Sequence, residues 1–472
     1  MKAICGRFLP SKCSSSNADE NLDQSPTSLV SDSTLPLVSQ TLREASTSEH
    51  QPVCTPHNGW TVILKTASMA SGAIKRLQDR VLGPSRTGIP SSTSEIWLLG
   101  VCYKISESES SEVVDAFRQD FSSLVLMTYR RGLFVYPLQL KLALSGDMKL
   151  NCVIFIGFEA IGDTTYTSDV NWGCMLRSGQ MLFAQALLFQ RLGRSWRKDS
   201  QPPEEEYLEI LELFGDSEAS AFSIHNLILA GESYGLAAGS WVGPYAVCRS
   251  WEALVRKRRE ETDVKDHSCS MAVHIVSGSE DGERGGAPIL CIEDVTKTCL
   301  EYSEGETEWT AVLLLVPLVL GLDKVNSRYI PSLIATFTFP QSLGILGGKP
   351  GASTYIVGVQ EDKGFYLDPH GVQQVVTVNK ETQDVDTSSY HCNTVHYVPL
   401  ESLDPSLALG FYCRDKDDFD DFCIRATKLA GDSNGAPLFT VTKSHRTGDR
   451  GIAETSTVTC TCEEHEDEWQ LL

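Results

Sequence analysis

Gly162-Asp-Thr-Thr-Tyr-Thr-Ser-Asp-Val-Asn-Trp-Gly-Cys-Met-Leu-Arg-Ser-Gly-Gln180 decides how this chain is read. Turn formers and potential N-caps (Ser168, Asp169, Asn171) lead directly into an apolar periodicity. Met175, Leu176, Met181, Leu182, Ala186, Phe189 and Leu192 fall on one broad face, and Gly193 is a fitting stop. The spacing therefore predicts a long helix after Gly173, with Cys174 in its first turn. The positive end of a helix dipole favours thiolate over thiol. Backbone N–H groups there lack helical acceptors, so that of Cys174 could donate to a developing oxyanion. A buried structural cysteine is the competing reading.

A nucleophilic thiol needs a base, and the base needs an orienter. Most of the ten histidines stand in polar stretches, as do His50, His57, His267, His445 and His465. His370 instead ends the apolar strand pattern Gly-Phe-Tyr-Leu-Asp-Pro-His-Gly (364–371). Asp368 lies two residues earlier, on the same side of an extended backbone that Pro369 stiffens. Asp368 could thus orient the imidazole and stabilise its charged form. An Asx-Pro turn carrying a surface histidine is the alternative. The Gly-rich run Leu343-Gly-Ile-Leu-Gly-Gly-Lys-Pro350 lacks the first Gly and the final Ser/Thr of a phosphate loop. It suits a mobile lid or a close backbone approach better.

Around these motifs, 472 residues leave room for one to three domains, and 41% hydrophobic content supports a sizeable core. A net charge of −22 repels phosphate backbones, so no nucleic-acid partner is expected. The longest apolar run, Ala311–Leu322, contains Pro317 and falls short of the roughly 20 residues a membrane helix needs. The 15 cysteines are an odd, scattered set without Cys-x-x-Cys, and no secretory h-region opens the chain as given. We therefore expect reduced thiols and a cytoplasmic protein. Cys460, Cys462 and His465 form a conceivable soft metal site, but no fourth ligand is evident, so no metal and no cofactor is expected.

Residues 1–50 hold 15 Ser/Thr and one aromatic, Phe8, a composition that cannot offset chain entropy. Residues 1–95, with a polar linker at Gly83–Glu95, are read as disordered. Helices are expected at Glu204–Leu213, Ser223–Leu229 and Asp415–Lys428. Strands are expected at Met271–Val276, Ala287–Ile292, Ala311–Leu320, Ser353–Val359, Gly364–Leu367 and Val372–Val378. Arg256–Ser270 and Ser277–Gly286 read as charged loops, and 431–472 as a disordered acidic tail. Helices first and strands later point to an α+β domain over 96–430.

Tyr-Thr-Ser-Asp-Val-Asn-Trp-Gly-Cys-Met-Leu-Arg-Ser-Gly-Gln-Met (166–181), Pro-Gln-Ser-Leu-Gly-Ile-Leu-Gly-Gly-Lys-Pro (340–350) and Tyr-Leu-Asp-Pro-His (366–370) together resemble the autophagin family. Met-Thr-Tyr-Arg-Arg-Gly (127–132) and Gly-Ser-Trp-Val-Gly-Pro (239–244) add to the likeness, which spans about 96–430 and is strongest to plant members. The resemblance implies a papain-like cysteine protease fold with a small added subdomain. It implies an enzyme that cuts the ubiquitin-like autophagy modifier after its C-terminal glycine and releases it from phosphatidylethanolamine. Membrane contact would come only through the lipidated substrate. Carried over by motif, Cys174 is the nucleophile, His370 the base and Asp368 its orienter. Tyr129 would supply an oxyanion-hole hydroxyl. Trp241 and the loop Lys349, Pro350, Gly351 and Ala352 would roof a groove that admits only glycine.

One departure stands out. In the family the Tyr-Arg segment runs almost directly into the approach to the cysteine, whereas here the apolar stretch Leu133–Gly157 intervenes. If it is part of the folded chain, the position of Tyr129 comes into question. A catalytically dead binder of ubiquitin-like proteins is then the alternative. At the other end, Glu463, Glu464, Glu466, Asp467 and Glu468 precede Trp469-Gln-Leu-Leu472. An acidic lead, an aromatic and an aliphatic three residues on resemble the short motif that docks on the autophagy modifier. Trp469 and Leu472 would be its anchors.

Overall fold

Val312-Leu-Leu-Leu-Val-Pro-Leu-Val319 has no polar alternation, and the structure shows why. Leu313 and Leu315 pack into one apolar cluster, while Val312, Leu314, Val316 and Leu318 pack into another on the opposite face. A strand covered on both sides has no solvent face on which to place polar residues. The computed structural model describes residues 86–105, 110–133, 167–198, 204–261, 271–276, 278, 286–303, 309–378 and 385–444.

Strands β1 (Arg86–Thr87), β2 (Ile96–Leu98) and β3 (Val101–Tyr103) open the described chain. They are followed by α1 (Ser110–Ser123), β4 (Tyr129–Arg131), α2 (Cys174–Arg191), α3 (Glu205–Leu213), α4 (Ile224–Gly231) and α5 (Pro244–Glu261). Next come β5 (Ala272–Ile275), β6 (Ile289–Cys291), α6 (Ile292–Tyr302), β7 (Val312–Val319) and α7 (Ile330–Thr336). The last elements are β8 (Ser342–Gly347), β9 (Thr354–Gln360), β10 (Lys363–Leu367), β11 (Val372–Gln374), β12 (His396–Pro399), β13 (Ser406–Cys413), α8 (Lys416–Gly431) and β14 (Thr440–Thr442). The central sheet runs β1-β12-β10-β9-β8-β13-β7-β5, with β2 joined to β9 and β3 to β2. Its pairs are antiparallel except β5 with β7.

The helix after Gly173 spans Cys174–Arg191, and Gly193 stops it at a left-handed φ of 81°. It is not amphipathic in place. Every residue from Cys174 to Leu188 is buried, including Arg177, Gln180 and Gln185. One side faces β8 and β9, and the others face α3, α4 and α5. Phe183 stacks on Trp251 of α5, with ring centroids 4.2 Å apart and planes 6° from parallel. Phe214 and Phe222 close the same aromatic group.

Several boundaries need correction. The Gly-rich run is no lid over most of its length. Ser342–Gly347 is a fully buried central strand, and a Cβ on Gly344 would fall 2.1 Å from the Ile356 carbonyl oxygen. The close backbone approach is what the glycine serves there. Helix α5 runs on to Glu261 because its charged end is solvated, with Arg259 lying over the Tyr302 ring at 4.5 Å. The strand expected at Ala287–Ile292 yields to α6 at Ile292, and that at Val372–Val378 pairs only over Val372–Gln374. Residues 431–444 are not tail. Leu438 and Phe439 are 2% exposed, Phe439 stacks on Phe422, and β14 pairs in parallel with β6. At the other end β1 pairs with β12, so order begins before Ile96. Residues 1–85, the span 134–166 and residues 445–472 lie outside the described residues. Among the described residues, no helix is long and apolar enough to cross a membrane.

Candidate active site

Strand β10 delivers Asp368 and His370 at its end. The Asp368 carboxylate meets Nδ1 of His370 at 2.6 Å, and the same oxygen accepts the His370 backbone N–H at 3.0 Å. Thus the i, i+2 spacing fixes both the ring and the backbone that carries it. The chain then enters β11, which pairs in parallel with β4, Val372 opposite Tyr129. The Tyr129 ring stands edge-on to His370, with centroids 5.4 Å apart and planes at 90°.

Cys174 occupies the first position of α2 and is fully buried. Its N-terminal approach differs from expectation, since none of Ser168, Asp169 or Asn171 caps the helix. The N-cap is Gly173, without a side-chain cap. Asn171 adopts a left-handed φ of 74°, which asparagine tolerates, and turns the chain into the helix. A Cβ on Gly173 would lie 2.7 Å from the Asp169 side chain, so only glycine fits against it.

Burial alone would raise the Cys174 thiol. The hydrogen bond and charge of His370, the Ser353 backbone N–H and the Tyr129 hydroxyl outweigh it and bring the thiol down to about 7. For His370, burial opposes the charged form, but Asp368 and Cys174 together raise the imidazole to about 9. The ordering, thiol below imidazole, favours a thiolate–imidazolium pair at neutral pH. The Tyr129 hydroxyl is held in its neutral, donating form by burial and by the neighbouring thiolate. The arrangement can attack a carbonyl, protonate a leaving amine and offer donors to an oxyanion.

Trp241 packs against the Tyr129–Cys174 pair. Ala352 and Ser353 are fully buried, Lys349 and Gly351 are half-buried, and Pro350 is exposed. The turn therefore shows its outer side to solvent while its end presses a backbone N–H on the sulfur. Trp469 and Leu472 lie outside the described residues, as do Cys460, Cys462 and His465. Among the described residues no cluster of His, Cys, Asp or Glu could hold a metal.

Backbone bonds tie together the two flanks of the insertion, beside the strand of Tyr129. Gly132 and Leu133 donate backbone N–H groups to the Thr167 carbonyl at 3.1 and 3.3 Å, and Arg131 bridges Ser168. The two ends of the intervening segment are thus fastened to each other. Leu133 itself is fully buried and belongs to the core, so the extra segment begins after it.

Reading the sequence missed a buried charge group beneath the thiol. Arg177 bonds Asp169 at 2.6 Å and Asp216 at 2.8 Å, and Arg130 lies 3.7 Å from Asp216. All four side chains are at most 2% exposed. The available sign was Arg177 itself, the one charged residue of the helix before Arg191 at its end. Ser353 carried no sign, because it acts through its backbone.

Residues 114–425 match the Peptidase C54 catalytic domain. A protein of Arabidopsis thaliana named Cysteine protease ATG4b is 77% identical over an alignment 502 positions long, covering 100% of both chains. Cysteine protease ATG4a of the same plant is 65% identical, again over 100% of both. Cysteine protease ATG4 of Medicago truncatula is 56% identical over 94% of this chain and 91% of its own.

Proposed function

The chain belongs to the Peptidase C54 family of papain-like, autophagy-related cysteine proteases, and from that premise we propose that its substrate is the ubiquitin-like autophagy modifier, cut after the C-terminal glycine. The same step, on the amide to phosphatidylethanolamine, would release the modifier from membranes. In both, the Cys174 thiolate adds to the glycine carbonyl carbon. The oxyanion takes donors from the Cys174 N–H and the Tyr129 hydroxyl. His370 gives its proton to the departing amine, leaving a thioester. His370 then takes a proton from water, whose oxygen attacks the thioester and frees the glycine carboxylate and Cys174.

The observation that carries the substrate class is the burial of the nucleophile. Cys174 is 0% exposed, between Trp241 and the Ala352–Ser353 backbone. A chain end without side chains fits such a slot best, since a Cβ would meet its walls. The eight cysteines among the described residues are all free, which supports action in the reducing cytoplasm. Incubating the purified chain with a C-terminally extended modifier, read by intact mass, tests the activation step. Liposome-bound, phosphatidylethanolamine-conjugated modifier tests release. An uncut precursor under conditions where Cys174 is reduced and alkylatable would overturn the reading.

A further inference from the structure

Asp169 joins two elements that carry different parts of the reaction. One carboxylate oxygen accepts the backbone N–H of Arg130, the residue after Tyr129, at 2.7 Å. The other accepts Nε of Arg177, one turn into the helix of Cys174, at 2.6 Å. Its own carbonyl accepts the Gly173 N–H at 2.8 Å, and the Ser168 hydroxyl donates to the Arg130 carbonyl at 2.7 Å. The three-residue strand β4 therefore has β11 on one edge and the Ser168–Asp169 turn on the other. Asp169 is fully buried. Buried ion pairs are poor devices for stability compared with apolar packing of the same volume, and their best use is to fix one arrangement over others.

We propose that Asp169 is a positioning residue of the acyl-transfer site: its carboxylate sets the separation between the Tyr129 hydroxyl on β4 and the Cys174 thiolate on α2. The proposal rests on the reading of Tyr129 as an oxyanion donor. The two carboxylate oxygens face two donors, so an isosteric Asn cannot serve both. Its single carbonyl oxygen would stay with the charged Arg177, the stronger donor, and its NH2 would face the Arg130 N–H. The strand of Tyr129 would shift while the helix of Cys174 stays held by Arg177, Asp216 and Gln180.

The test uses the full chain, a small peptidyl-glycine aryl ester and iodoacetamide. Ester turnover needs the oxyanion donors, whereas alkylation needs the thiolate and access to it but no oxyanion donor. Asp169→Asn should lower kcat by about 100-fold with KM within about twofold, the loss typical of one oxyanion donor. The alkylation rate should stay within about threefold of the parent, because His370, whose hydrogen bond and charge support the thiolate more than the Tyr129 hydroxyl does, stays in place. In a Tyr129→Phe background the further loss should vanish, since a lost donor cannot be misplaced. Multiplying losses, alkylation falling in step with turnover, or unchanged kcat would each overturn the proposal. If Asp169→Asn does not fold, Ser168→Ala carries the same comparison. It should lower kcat several-fold, again only when Tyr129 is intact, and independent losses would overturn the proposal. Failure to cut the modifier with the ester still turned over would remove the substrate reading and leave this test standing. An ester rate unaffected by Tyr129→Phe would remove the donor and the proposal with it.

Discussion

Tyr129 donates its backbone N–H to the Pro369 carbonyl at 2.9 Å, so the candidate oxyanion donor hangs from the residue that precedes the candidate base. The edge-on contact between the Tyr129 and His370 rings repeats this coupling through the side chains. Tyr129→Phe keeps the ring and the strand and removes only the hydroxyl. We expect kcat to fall by about 10²–10³-fold, as for other single oxyanion donors, with KM nearly unchanged. Steady-state kinetics beside a thermal melt will check this. A loss confined to KM would give the hydroxyl to substrate binding instead.

The paired ionisations set the pH window. With the thiol at about 7 and the imidazole at about 9, kcat/KM should rise as pH passes the first value and fall beyond the second. The stability linkage has the matching signs. His370, raised from 6.5, stabilises the fold fully below that value and loses its contribution as pH climbs through about 9. Cys174, depressed from 9.0, contributes fully above that value and loses its part as pH falls through about 7. The two contributions belong to one pair and do not add. Asp368→Asn removes a principal support of the imidazolium, so the basic limb should move down. A basic limb unmoved by Asp368→Asn would show that another group sets it.

Substrate-free protein should protect its thiol. Cys174 is fully buried and Trp241 packs on it, so alkylation by iodoacetamide should be slow for a thiol of this acidity. Trp241→Ala should speed it several-fold without moving its pH midpoint, because the tryptophan contributes cover rather than charge. Labelling at a fixed pH followed by peptide mass mapping to Cys174 reads this directly. An unchanged rate would leave the cover to Ala352 and Ser353.

The parts legible from sequence were those written in local spacing. The helix after Gly173, its stop at Gly193 and the Asp368–His370 contact each depend on residues close in the chain. Strand β7 was legible because burial on both faces leaves an unbroken apolar run. Helix α6 was not, because its start at Ile292 adjoins β6 without a turn signal or a side-chain cap. Among the site residues, Asp169 was visible only as a potential N-cap. Its bonds to Arg130 and Arg177 depend on a strand 39 residues away and on the absence of a Cβ at Gly173. Such contacts follow from tertiary packing, which local periodicity does not encode.

The acidic lead before Trp469 and Leu472, which lie outside the described residues, keeps its reading as a docking proposal from sequence alone. A Trp next to five acids fits a peptide that adds a strand to the modifier's sheet edge and fills two apolar pockets. Trp469→Ala with Leu472→Ala should weaken binding of the full-length modifier by about tenfold or more, as expected when a second contact is lost. Turnover of the small ester should not change. Calorimetry with a Cys174→Ala parent measures the affinity without cleavage, and equal affinities would dismiss the tail as a docking site.

The segment after Leu133 offers the final prediction. Its apolar residues, among them Phe134-Val-Tyr and Val153-Ile-Phe-Ile, sit between two pieces of the active site, where an unsuited insertion would be felt at once. Yet Gly132, Leu133 and Thr167 close its base with two backbone hydrogen bonds, and Ser168 and Asp169 brace the strand of Tyr129 from the same side. Deleting 134–157 leaves nine residues to span from Leu133 to Thr167, ample for ends that already touch, and loop-closure entropy falls as the loop shortens. The deletion should therefore keep kcat within about twofold and raise soluble yield, since it removes a run of apolar residues while the described bonds that place Tyr129 remain. Leu133 must be retained, because its buried side chain is core and its loss would cost about 2–5 kcal/mol on the scale of a large-to-small change. Kinetics on the small ester and the recovered soluble fraction decide the matter. A kcat reduced well beyond twofold with the melt unchanged would make the segment a working part of the site.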